Sequence, residues 1–232
     1  MLIAEIGNNH FGNVDRCKML ISAAVSSGAD AVKLQAFEAE DLKGGSMPLE
    51  FYKMCELSYY DYAELALYCY INFDKPLFFS IFSPKFWNLN TVLPDSVRYT
   101  KVSGSQFKEA SNELLLDLDN RRTIISIPRV NGKKVMPDLK YAKILHVSDY
   151  LTDTPFLHRI TGLSTVFKRP IGYSDHTIGI ETCVEAVKSF GVHIVEKHFH
   201  YGNEFRFKGQ TFRDTIHAAQ PHEFEKLARE MN

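Results

Sequence analysis

Nothing in the sequence is long and apolar enough to cross a bilayer: no stretch approaches the roughly 20 residues a membrane helix needs. Lys and Arg number 27 against 28 Asp and Glu, a formal charge of −1, and they form no basic run. A nucleic-acid partner is therefore not expected, because tracking a phosphate backbone takes clustered cations. The four cysteines, Cys17, Cys55, Cys69 and Cys183, are scattered and make no C-x-x-C pair. That argues against a disulfide framework and for reduced thiols used in packing. The N-terminus enters LIAEIG with no charged leader and apolar run before it, so a cytoplasmic protein without a membrane partner is expected. No Gly/Ser linker or low-complexity tract divides the chain, and residues 1–232 read as a single domain. With 45% hydrophobic residues over 232 positions, that domain can bury a sizeable core.

What is present is alternation. Short β-branched and aliphatic runs occur at residues 2–7, 31–37, 76–82, 98–104, 123–128, 143–148, 170–175 and 193–199. Between them lie stretches of helical period, such as VDRCKMLISAAVSSG, YDYAELALYCYI, ASNELLLDLD and IETCVEAVKSFG, with HEFEKLAREM after the last run. Eight βα units in a chain of this length predict an α/β fold, a (β/α)8 TIM barrel. Residues 129–142, RVNGKKVMPDLKYA, leave little room for a helix, so the fifth helix is expected to be degenerate. A doubly wound open sheet is the structural alternative.

A barrel of this kind carries its active site at the C-terminal ends of the strands, with alternate side chains pointing inward. Parity then groups Glu5 with Gly7, Lys33 with Gln35, Lys101 with Ser103, Ser174 with Gly172 and His176, and Glu196 with His198 and His200. A barrel centre is normally filled by Val, Ile and Leu, so charged residues recurring near one end of several strands read as a site. Two histidines at matching height on adjacent strands are candidate ligands of a catalytic metal with open positions. With no thiolate beside them, a structural zinc is not expected. Lys33 and Lys101 have a second reading, as internal salt-bridge partners of Glu5 and Glu196. Lys197 and Asp175 have the opposite parity; Lys197 is expected to face the helix layer, and Asp175 to brace a loop or orient His176 from outside.

IAEIGNNHFGN, GADAVKLQAF, YTKVSGS, LHVSDYLTDTP, GYSDHTIGI and EKHF occur in this order over almost the whole chain. Together they resemble the catalytic barrel of the sialic acid synthase family, which makes N-acetylneuraminate and related nonulosonic acids. The resemblance implies an enzyme using Mn²⁺ or Mg²⁺ that condenses phosphoenolpyruvate with an amino-sugar acceptor, a 2-acetamido hexose such as N-acetylmannosamine. It implies His176 and His198 as metal ligands and Glu5, Lys33, Lys101 and Glu196 as the catalytic charges. Gln35, Ser80, Ser103, Ser174 and Asp214 are implied in substrate binding; Asp214 precedes Pro221 by seven residues, as the matching family aspartate precedes its proline. Asp149 and Tyr150 fall where the family has an asparagine and a tyrosine.

The departures lie at the acceptor end. ISIPRVNG stands in place of a Ser-Thr-Gly-Met segment, FSIFS stands in place of a Ser-Thr-Pro-Phe segment with Ser80 as its matching hydroxyl, and KVSGSQ replaces the acidic KIxSGE pattern. Family members carry a C-terminal antifreeze-like domain that lends an arginine to the sugar site of a partner subunit, so the resemblance implies a homodimer or a separate chain supplying that domain. Arg206, Lys208 and Arg213, in the segment after the eighth strand, are candidates to replace the contact within one chain. They would also serve a phosphosugar acceptor of the DAHP or KDO-8-phosphate synthase kind. A non-catalytic barrel that keeps metal or anion binding is the alternative of a different class.

Overall fold

The computed structural model describes residues 1–43, 45–95, 97–128, 137–148, 154–202 and 206–231. Eight parallel strands close into a barrel in chain order: β1 (Leu2–Gly7), β2 (Ala31–Ala36), β3 (Leu77–Ile81), β4 (Thr100–Val102), β5 (Thr123–Ile127), β6 (Lys143–Val147), β7 (Gly172–Asp175) and β8 (Val195–His198), with β8 pairing back to β1. The open-sheet alternative is thereby set aside. None of the described helices is long and apolar enough to cross a membrane.

Strand parity sorts the side chains into two clusters. Leu2, Ala4, Ile6, Val32, Leu34 and Ala36 face outward and pack beneath the helices. Ile3, Ala31, Phe78, Ile124, Leu145 and Ile194 meet inside and plug the N-terminal end of the barrel. Gly172 belongs to this inner layer, where a Cβ would run into Leu145 and the Ile194 carbonyl; only a hydrogen fits there. One inward position further along, every strand except β6, which presents Val147, turns polar, and the plug becomes the floor of a site.

The helices begin where side chains can satisfy their free amides. Helix α1 (Val14–Ser26) is capped by Asn13, which accepts from Arg16 N. Helix α2 (Leu49–Cys55) follows in the β2 connection, and α3 (Tyr59–Phe73) starts from a reciprocal box between Ser58 and Asp61. After β4 the chain departs from the expected pattern. The run expected as strand to residue 104 ends at Val102 because Ser103 caps a short helix, α4 (Gly104–Glu109), through a second box with Gln106. Ser111 then caps α5 (Asn112–Asp117), the helix expected over ASNELLLDLD, so α4 is an additional helix ahead of it. No helix forms over residues 137–142, the described part of the segment expected to be degenerate.

Helices α6 (His158–Phe167) and α7 (Glu181–Phe190) flank β7. After β8 the segment read as loop forms a two-stranded hairpin, β9 (Arg206–Phe207) with β10 (Gln210–Thr211), followed by α8 (Arg213–Ile216) and α9 (Pro221–Glu230). Lys208 and Gly209 both take positive φ at its turn. The hairpin seats Phe207 and Phe212 against Phe51 of α2. All four cysteines are buried and free.

Candidate active site

The C-terminal ends of the strands open into a cavity of about 580 Å³. Eleven of the residues singled out in the sequence line it: Glu5, Lys33, Gln35, Ser80, Lys101, Ser103, Ser174, Asp175, His176, Glu196 and His198. Asp149 and Tyr150 lie outside the described residues. Asp214, buried in α8, does not line the cavity but sits behind its wall: a Cβ on Gly7 would lie 3.6 Å from its Oδ2, 3.5 Å from Glu5 Oε1 and 3.4 Å from Gln35 Nε2. Arg206, Lys208 and Arg213 are not among the cavity residues, and Lys208 reaches across the hairpin to Glu50, 3.5 Å away. His200, expected on the face of Glu196 and His198, lies beyond the end of β8 and packs edge-on to Phe11.

On the floor, two lysines and two glutamates form a closed set. Lys33 Nζ pairs with Glu5 Oε2 and with Glu196 Oε1 at 3.2 Å. Lys101 Nζ grips both Glu196 oxygens at 2.9 Å. Hydroxyls complete the shells: Lys33 donates to Ser80 at 3.3 Å, Lys101 to Ser126 at 3.0 Å, and Ser174 to Glu196 at 2.9 Å. Both readings of the lysines meet here, since the ammonium groups are ion-paired and at the same time bound the cavity.

Burial gives the four charges different characters. It pushes the Glu5 carboxyl up to about 7, with Lys33 opposing and Glu196 assisting. It brings Lys101 down to about 8, while the Glu196 charge resists. Burial also works on Lys33 and Glu196 but loses: the Glu196 and Glu5 carboxylates hold Lys33 above its ordinary value, and Lys101 and Lys33 hold Glu196 well below its own. Glu196 is thus the fixed anion and Glu5 the group that exchanges a proton near neutrality.

Beside this set His176 and His198 face each other, ring centroids 5.2 Å apart. Burial depresses both, His198 to about 3 with the Lys33 charge adding to the effect, and His176 well below its ordinary value with His198 adding to it. Both rings are neutral and able to ligate. His198 Nδ1 is buried with no hydrogen-bond partner among the described residues, and Ser148 Oγ approaches His176 Nδ1 at 3.5 Å. No group of three or more His, Cys, Asp and Glu side chains with metal-ligand geometry occurs among the described residues. A divalent ion between the two imidazoles would take its other positions from water or substrate.

Parity applied to β5 also finds what the sequence reading passed over. Ser126 is in phase with the inner-layer Ile124 and accepts from Lys101. Ser148, one residue past β6, accepts from the His176 amide at 2.6 Å. Ser105 and Lys108 of α4 also line the cavity.

The pattern of the NeuB family matches residues 146–232, the part that carries β7, β8 and both histidines. The uncharacterized protein MJ1065 of Methanocaldococcus jannaschii is 30% identical over 97% of this chain and 68% of its own length. The chain belongs to the NeuB family. An N,N'-diacetyllegionaminic acid synthase of Legionella pneumophila is 30% identical over 85% of this NeuB-family chain and 63% of its own length. Among solved structures, the N-acetylneuraminic acid (sialic acid) synthetase of Leptospira borgpetersenii superposes with a TM-score of 0.78 at 26% identity, covering 99% of this chain and 81% of that one. The NeuB-family chain thus spans about two thirds of the curated relatives it matches.

Proposed function

We propose that this chain is the catalytic barrel of a nonulosonic acid synthase, condensing phosphoenolpyruvate with an open-chain N-acylated hexose such as N-acetylmannosamine and releasing phosphate. The observation that carries the reading is the juxtaposition, in one cavity, of the buried Lys33–Glu5–Glu196–Lys101 set with two neutral, facing imidazoles. Likeness to legionaminic and sialic acid synthases supports the same class of product.

The residues divide the work by their charge states. Lys33 and Lys101, with Ser80, Ser126 and Ser174, hold the phosphate and carboxylate of phosphoenolpyruvate, whose charges need several charge-assisted donors. Glu196, kept ionised by both lysines and by Ser174, stops the two ammonium groups from repelling each other and fixes their heads. A divalent ion, Mn²⁺ or Mg²⁺, held by His176 and His198 supplies Lewis-acid activation of the sugar aldehyde. C3 of the enol phosphate attacks that aldehyde, water adds at C2, and C–O cleavage releases phosphate. Glu5, titrating near neutrality, moves the proton at the oxygen that becomes the new hydroxyl. Gln35, held by Asn8 Nδ2 at 3.1 Å, and Asp214 behind Gly7 orient the acceptor. A phosphosugar acceptor fits less well, because Lys108 is the only cation on the cavity wall besides the two paired lysines among the described residues. In this reading a homodimer partner completes the acceptor side.

The test is phosphate release from phosphoenolpyruvate across a panel of hexosamines and aldoses, with and without divalent metals. Release that needs both a metal and an N-acylated hexose is expected. Binding of phosphoenolpyruvate without release for any acceptor would select the non-catalytic barrel instead.

A further inference from the structure

The outer face of the barrel behind the two histidines holds a charge pair that the reaction does not use. Asp175 is the last residue of β7 and Lys197 the third of β8, and they are direct cross-strand partners in the sheet. Each is the residue immediately before a histidine of the cavity. Asp175 borders the cavity, but its carboxylate meets Tyr173 and Cys183 on the helix side, and both members of the pair are fully buried. Lys197 Nζ donates to Asp175 Oδ2 at 2.6 Å and to the Thr177 carbonyl at 2.5 Å. One ammonium on β8 therefore grips the residues on both sides of His176.

Asp175 is saturated in return. Its Oδ1 accepts from Tyr173 Oη at 2.7 Å and from the Thr177 amide at 3.1 Å, and its Oδ2 accepts from Cys183 Sγ at 3.4 Å. Thr177 Oγ1 donates to both oxygens at 3.0 Å. The hydroxyl of Ser148 takes the His176 amide on the remaining side. The backbone that carries His176 is thus fixed at its own amide and at both flanking residues.

Stability does not account for such a pair. Buried ion pairs are weak net stabilisers, and apolar residues of similar volume usually serve packing as well or better. What the pair does, and an apolar contact does not, is hold β7 and β8 at one register and one height where the imidazoles face each other. We infer that the Asp175–Lys197 ion pair is a positioning device that sets the separation of His176 and His198 from the outer face of the barrel. The inference rests on the reading of those histidines as ligands of a divalent ion, and it adds two positioning residues that touch neither ion nor substrate.

Manganese alone is the probe, titrated calorimetrically into the metal-free protein, with urea unfolding and inorganic phosphate binding measured beside it. Lys197→Met strands a buried carboxylate and is expected to lower both stability and Mn²⁺ affinity. The pair Asp175→Asn/Lys197→Met removes both charges. It is expected to recover most of the stability and bind phosphate normally, yet stay at least about tenfold weaker for Mn²⁺, the scale of a lost outer partner of a metal ligand. Tyr173→Phe, which deletes one donor to Asp175 without charge, is expected to weaken Mn²⁺ a few-fold with the fold intact. Recovery of Mn²⁺ affinity together with stability in the double variant, or no change in Tyr173→Phe, would falsify the positioning role and leave the metal reading standing. A wild type that binds no Mn²⁺ at all overturns both.

Discussion

At the scale of single residues, the same cavity holds one group that lacks a partner and one that has several. His198 Nδ1 is buried without a hydrogen bond among the described residues, a condition that costs about 1 to 3 kcal/mol when nothing binds there. A metal ion bound between His176 and His198 would remove that penalty, and by mass action Mn²⁺ at about 100 times its dissociation constant should stabilise the wild type by about 2.7 kcal/mol. The double variant His176→Ala/His198→Ala should keep its far-UV spectrum and show no such shift in denaturation with added Mn²⁺; a shift equal to that of the wild type would dismiss the pair as ligands. Lys101 is the opposite case, held by two carboxylate oxygens and Ser126. Lys101→Ala should weaken phosphoenolpyruvate binding by more than about 1.5 kcal/mol, the scale of one charge-assisted hydrogen bond, with Mn²⁺ affinity nearly unchanged. Equal losses for both ligands would make Lys101 a structural partner of Glu196 instead. Both side chains were legible in the sequence because a charge at an inward position of a barrel strand has no packing explanation. The closed ion-pair set was not, since two readings of the lysines fit the same parity and only their distances to Glu5 and Glu196 show that both apply.

At the scale of elements, short β-branched and aliphatic runs made all eight strands readable, and alternation along them divides outer core from inner plug. The misreadings fall where a local hydrogen bond overrules the pattern. KVSGSQFKE continues the strand by hydrophobicity, but the box between Ser103 and Gln106 starts a helix at Gly104. A serine at an inward position of β5 drew no notice because hydroxyls are common in strands, and only its contact with Lys101 marks Ser126 as part of the site. The hairpin after β8 escaped notice for a related reason: its strands are two residues each, too short for alternation, and its register comes from Lys208 and Gly209 at the turn. Gly172 carries the prediction at this scale. It sits where β6, β7 and β8 converge in the plug, and Gly172→Ala should destabilise the fold by about 1 to 3 kcal/mol, the range for overpacking a filled core. The strain would part β7 from its neighbours, so Mn²⁺ affinity should fall with it. Urea unfolding indistinguishable from the wild type would show that the inner layer has slack the structure does not suggest.

At the scale of the molecule, the site occupies one end of a barrel whose other end is plugged by apolar side chains, so its buried charges and histidines bear on global stability as well as chemistry. Burial lowers His10 and His146 to about 4. An unfolded histidine takes its proton near 6.5, whereas these two resist until about 4. Their contribution is complete above pH 6.5 and is lost as pH falls towards 4, because across that window the unfolded chain binds more protons. Between pH 7 and 5 each should forfeit about 2 kcal/mol. In the metal-free protein His176 and His198, shifted in the same direction, add to the slope. Glu5 opposes it. Its carboxyl is raised to about 7, so the folded chain gains a proton first, and its contribution grows as pH falls from 7 and is lost as pH rises through that value. One such carboxyl offsets about one histidine, and the balance remains against the folded state in acid. Metal-free protein should therefore unfold at distinctly lower urea at pH 5 than at pH 7, by several kcal/mol in extrapolated stability. His10→Gln should reduce that difference by about 2 kcal/mol, whatever it does to stability at pH 7, because a glutamine takes up no proton on unfolding. A stability that is level or rising from pH 7 to pH 5 would mean that the buried histidines reach water more readily than their packing indicates, and that the carboxyl at the barrel mouth outweighs them.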